Sequence, residues 1–224
     1  MENLQFFAPS EQLTGGAYVN RKGNGNYRGD INLPVNRGTH VPEQANTSLW
    51  ITGLPGSTTI SDLLGSITNV GRVRSVVVNP PNETTSSAAA TISFFHRHDA
   101  ETLHRIIQQG RIMVGGRFPK SQWNRNRVGG EEDSSGQASR VVLIAGEPDV
   151  VNEQFLNYYF SKKFVYDIDT VIDHGTVSAF GGPISRLEYR FGSWRGQAIF
   201  AKMALTKELP GFTLAEYGED PCAV

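Results

Sequence analysis

The sequence predicts an α+β protein of 224 residues built from two copies of one βαββαβ unit. Three observations predict it. Short β-branched or aromatic runs alternate with stretches whose apolar residues recur at i, i+3, i+4 and i+7. Gly, Pro and Asn clusters separate these runs. A skeleton also recurs along the chain: Leu49-Trp50-Ile51-Thr52-Gly53-Leu54-Pro55 lines up with Val142-Leu143-Ile144-Ala145-Gly146-Glu147-Pro148.

The first copy is expected over 47–127. Ser48 to Gly53 alternates and reads as a strand. Thr58 is placed to cap a helix from Thr59 to Ile67, with Ile60, Leu63, Leu64 and Ile67 on one face. Val73 to Val78 is the second strand, stopped by Asn79-Pro80-Pro81. Ala88 to Phe95 is the third. A second helix is expected from Asp99 to Gln109, ended by Gly110, and a fourth strand from Arg117 to Trp123. The order is ferredoxin-like: a four-stranded antiparallel sheet with two helices on one face.

The second copy is expected over 139–224. Its strands are Arg140 to Gly146, Tyr166 to Ile172, Ile184 to Phe191 and Phe212 to Tyr217. Asp149 or Asn152 caps the helix through Phe155, Leu156, Tyr159 and Phe160; Ser193 caps the one through Ala198, Ala201, Ala204 and Leu205. Asp173 to Pro183 reads as a long loop, Trp194 as a packing residue, and Cys222 as an inert thiol near a flexible end. Residues 1–46, rich in Asn and Gly, read as a disordered tail, and 128–138 as an acidic Gly/Ser linker.

Alternation assigns Leu49 and Ile51 to the core, Trp50 and Thr52 to the other face. In the third strand it puts Ala88, Ala90, Ile92 and Phe94 inside, and Ser87, Ala89, Thr91 and Ser93 on the open face. Leu49 to Leu54 resembles the RNP2 segment of an RNA recognition motif (RRM), and Ser87 to Phe94 sits where RNP1 belongs. The RNP1 aromatics are replaced by Ala89 and Thr91 and its leading basic residue by Ser87. The second copy departs further, with Leu143, Arg186 and Glu188 at the corresponding positions. Arg190 to Arg195 and Tyr217 to Cys222 resemble tandem RRM-like proteins of filamentous fungi.

The resemblance implies single-stranded RNA on the open sheet of the first copy, stacked on Trp50. Thr52, Ala89, Thr91 and Gln122 would share that face, and Arg72, Arg74, Arg117, Lys120, Arg125 and Arg127 would meet phosphates. The string Trp123-Asn124-Arg125-Asn126-Arg127 leaves the fourth strand where RRM proteins extend RNA contact. Trp50 has another reading, packing under a terminal segment or a protein partner. The corresponding alternative for the chain is an interaction scaffold whose RRM folds no longer bind RNA, with a protein partner on the second domain.

A net charge of -1 hides asymmetry: residues 47–128 sum to +5 and 129–224 to -6. The acidic half is therefore expected to contribute protein contact, or to dock on and mask the basic half. One cysteine allows no internal disulfide and no cysteine-based zinc site, and fits a reducing intracellular compartment, nucleus or cytoplasm unresolved. His96, His98 and His104 read as surface histidines, so no metal or other cofactor is expected. No apolar run reaches the ~20 residues that span a bilayer, and no secretory leader is recognised. Phosphate-loop, nucleophile-elbow and zincin motifs are missing, so neither an enzyme nor a small-molecule substrate is expected.

Overall fold

A computed structural model describes residues 40–130, 137–179 and 181–224. The chain forms two compact units. One holds β1 (Ser48–Leu54), α1 (Ile60–Leu64), β2 (Val73–Asn79), β3 (Ala88–Phe94), α2 (Arg97–Gln108) and β4 (Lys120–Trp123). The other holds β5 (Val141–Gly146), α3 (Glu153–Ser161), β6 (Ile168–Ala179), β7 (Gly182–Phe191), α4 (Ile199–Glu208) and β8 (Thr213–Tyr217). Both sheets are antiparallel with the same order, β2-β3-β1-β4 and β6-β7-β5-β8. Both units thus have the expected ferredoxin-like α+β fold.

In the first unit Leu49, Ile51, Ala90, Ile92 and Phe94 are fully buried under Leu63, Leu64, Ala100, Leu103 and Ile107 of the two helices. Period-2 burial on the strands meets period-3.6 burial on the helices, leaving the opposite sheet face without a helix. Thr59, not Thr58, caps α1. Its hydroxyl accepts from the Asp62 amide at 3.1 Å, and the Asp62 carboxylate accepts from the Thr59 amide at 2.9 Å. The Thr58 hydroxyl is buried without a partner. β4 begins three residues later than its sequence pattern. Arg117 is held in a tight turn with Val114, and Pro119 has no amide to donate.

The second unit is centred on Phe160, whose ring lies 5.5–6.1 Å from those of Tyr159, Phe164, Tyr166, Tyr189 and Phe191. Asn152 caps α3, accepting from the Phe155 amide at 2.8 Å. The segment expected as a loop, Asp173 to Pro183, is largely a hairpin. β6 pairs with β7 out to Ala179 opposite Gly182. Thr176-Val177-Ser178 favours strand geometry, so Gly181-Gly182 marks only the reversal. Ser193 does not cap a helix directly; Trp194–Ala198 is an irregular turn broken at Arg195 and Gly196, and α4 starts at Ile199.

The boundaries also differ from expectation. Residues 1–39 and 131–136, most of the expected tail and linker, lie outside the described residues. Residues 40–46 are ordered: Glu43–Ala45 forms a helical turn, Asn46 is buried and bridges to Gly129, and Thr47 donates to the Val128 carbonyl at 2.8 Å. Glu219–Val224 belongs to the first unit, so the second ends at Gly218. Cys222 is buried in the first core, where a position near a flexible end was expected. The cause is a set of backbone bonds: Val70 and Gly71 amides donate to the Cys222 carbonyl at 2.9 and 3.0 Å, and the Val73 amide to the buried Asp220 carboxylate at 2.7 Å.

Candidate nucleic-acid interface

Strand register places one side chain from each strand of the first sheet in a row across its helix-free face: Val77, Thr91, Trp50 and Gln122. Trp50 and Thr91 are half-buried, Gln122 is exposed, and Val77 is 43% exposed. The neighbouring row brings together Asn79, Ala89, Thr52 and Lys120, with Thr52 and Gly53 both opposite Ala89 at a bulge in β1. The indole thus has small or polar neighbours on this face.

The face is closed at one end. Ser48 and Ser93 lie on it by register yet are buried, the Ser93 hydroxyl without a hydrogen-bond partner. Asn124 folds over this end, its amide nitrogen 3.2 Å from the Ser48 hydroxyl and 3.4 Å from that of Thr91. Asn46 holds Asn124 in turn, donating to its carbonyl at 3.0 Å. Among the described residues, no helix covers the face from the Trp50 row toward the Gly53-Leu54-Pro55 end.

The six basic candidates separate into two groups. Arg72 stacks on the Phe95 ring at 4.7 Å, Arg74 donates to the Gly129 carbonyl, and Arg127 donates to the Val41 carbonyl and faces Glu43 at 3.6 Å. These three hold the domain's own chain. Arg117, Lys120 and Arg125 are exposed and form no ion pair among the described residues. Lys120 lies on the face beside Thr52, Arg117 just before β4, and Arg125 just after it.

Trp123 does not continue the interface. It pairs with Leu49 on the helix side, where the Arg97 guanidinium sits 3.5 Å above its ring and His104 lies 5.5 Å away. His104 bonds Ser121 at 2.8 Å, and burial, followed by the Arg97 charge, holds its pKa below the usual histidine value. No group of three metal-ligating side chains occurs among the described residues. The residue missed from sequence is Phe118, the most exposed large apolar side chain of this unit at 63%. The strand expected from Arg117 would have put 118, 120 and 122 on one face, and their exposure alternates that way although β4 itself begins at Lys120.

In the second sheet the corresponding row is Ile172, Glu188, Leu143 and Glu216. Glu188 is not a free charge. Arg190 donates to it at 2.6 Å and His174 faces it at 3.0 Å. Burial raises its pKa, but these two partners outweigh burial and bring it below the usual glutamate value. Leu143 and Leu214 stand exposed beside it.

Strand order and helix placement describe a chain of two domains with the ferredoxin-like βαββαβ fold, the first carrying an aromatic mid-sheet on its helix-free face. Comparison with known proteins returned no matching family and no matching curated protein. Among solved structures, the chain is similar to RNA recognition domains 1 and 2 of Sex-lethal from Drosophila melanogaster, with 17% identity over 77% of this chain and 100% of that one, at a TM-score of 0.29. It is similar to the first two RRM domains of a yeast poly(U)-binding protein, with 15% identity over 77% and 99% and a TM-score of 0.32. A three-domain segment of a yeast splicing factor matches at 15% identity over 80% and 69%, with a TM-score of 0.30.

Proposed function

We propose that the first domain binds single-stranded RNA across its helix-free sheet face, with Trp50 as the central stacking residue. The observation that carries this reading is the position of Trp50. It lies mid-sheet between small or polar neighbours, Thr91 and Gln122, with an exposed cation, Lys120, one row away. A base stacked on an aromatic contributes ~1–3 kcal/mol by alanine substitution. Three exposed cations, Arg117, Lys120 and Arg125, add the phosphate contribution. At ~0.7 per neutralised phosphate, they set a slope of about -2 in log affinity against log salt.

The test is fluorescence anisotropy of a labelled mixed-sequence single-stranded RNA at low salt. Trp50→Ala is expected to weaken binding about 5- to 150-fold, the equivalent of ~1–3 kcal/mol. Equal affinity of the two proteins removes the stacking role, and no binding by either removes the RNA reading. A second reading, a protein-interaction scaffold, is favoured by the exposed Leu143 (41%) and Leu214 (61%) on the second sheet. We assign any protein contact to that face. Partners that persist in a pull-down after RNase treatment support it; partners that vanish do not.

A further inference from the structure

We infer that Phe118 is a second base-stacking residue of this interface, in the role that Ala89 and Thr91 of β3 do not fill. The inference rests on the reading of the first domain as an RNA binder. An aromatic ring 63% exposed, on a domain whose other phenylalanines Phe94 and Phe95 are fully buried, is the observation to be explained. Its backbone is anchored. Val114 and Arg117 exchange amide–carbonyl bonds at 2.9 and 3.0 Å around a two-residue turn, and Pro119 is buried immediately after the ring. Phe118 is thus presented on a rigid base, which lowers the entropy lost when a base stacks on it.

Geometry connects it to Trp50. Gln122 pairs with Trp50 and Lys120 with Thr52, while Ser121 and Trp123 face the helices through His104 and Leu49. Phe118 precedes β4, but burial keeps the alternation there, with Phe118 exposed, Pro119 buried, and Lys120 and Gln122 exposed, so the ring lies on the side of Lys120 and Gln122. Direction agrees as well. Asn124 closes the opposite end of the face, so a strand leaving Trp50 runs over Thr52 and Lys120 toward Phe118. Charge specifies the occupant: exposed Arg117 and Lys120 flank Phe118 in the sequence, as a polyanion carrying stackable bases requires.

The experiment uses the full chain and a fluorescein-labelled mixed-sequence decaribonucleotide at low salt, with sedimentation of each variant alone. Phe118→Ala and Phe118→Leu should both weaken binding about 5- to 150-fold, and Phe118→Trp should bind at least as well as the natural protein. Being exposed, the position should leave the unfolding temperature unchanged in all three. Wild-type affinity in Phe118→Leu would mean plain apolar contact and overturns stacking. Loss of binding in Trp50→Ala with none in Phe118→Ala overturns this inference and leaves the RNA reading intact. Absence of RNA binding by the natural protein removes both. A change of sedimentation in Phe118→Ala with unchanged RNA affinity identifies a protein contact and likewise overturns the inference.

Discussion

Arg140 and Asp169 form an ion pair at 2.8 Å with side chains only 1% and 7% exposed. Arg140 also donates to the Phe191 carbonyl at 3.3 Å. Asp169→Ala removes the carboxylate of this buried pair and is expected to destabilise the second domain, measured as a lower urea midpoint. The repeated glycines show how one residue type answers two demands. Gly53 has φ +79° at the β1 bulge, whereas a Cβ on Gly146 would overlap the Phe212 carbonyl. His104 adds a pH dependence. Its native pKa is depressed, so as pH falls below ~6.5 the unfolded chain takes up a proton before the native one does, and stability declines until the native value is reached. His104→Gln should flatten the unfolding temperature between pH 7 and 5.

At the scale of elements, Glu219–Val224 behaves as a further part of the first domain. Asp220 bridges two amides, accepting from Val73 at 2.7 Å and from Cys222 at 3.1 Å while itself 1% exposed. Asp220→Ala leaves the Val73 amide buried and unpaired, an expected loss of ~1–3 kcal/mol. Hydrogen exchange should rise at the Val70, Gly71 and Val73 amides and stay unchanged in β5 to β8. No rise at those three would show that water satisfies them equally well. The segment carries no periodicity, so nothing local marks it as part of a core.

For the whole molecule, the regional charge acquires a different meaning. Residues 137–218 hold eight basic and nine acidic residues, a net of only -1. The remainder of the -6 lies in Glu131, Glu132 and Asp133 and in Glu219 and Asp220. Electrostatic masking of the first sheet by the second domain loses the charge it depended on. Deleting 129–224 would also remove part of the first domain's core. A chain ending at Gly136 is therefore expected to unfold at a lower temperature than one in which a long Gly/Ser linker replaces 137–218 and Glu219–Val224 is kept. Equal unfolding temperatures by circular dichroism would show that the segment contributes nothing.

Local pattern alone determined both βαββαβ units, the buried and open parity of β1 and β3, and the position of Trp50. Each of these follows from side-chain period or turn chemistry within about ten residues. What only the tertiary structure decided depends on chain segments far apart in sequence. Asn124 covering Ser48, Arg74 and Arg127 turning to backbone carbonyls of the domain, and Cys222 entering a core some 150 residues earlier are all set by long-range hydrogen bonds. Phe118 lies between the two cases: its parity was legible, but its exposure needed the buried Pro119 and the turn at Val114 to be seen. A sequence period states which way a side chain points, and only packing states whether anything meets it there.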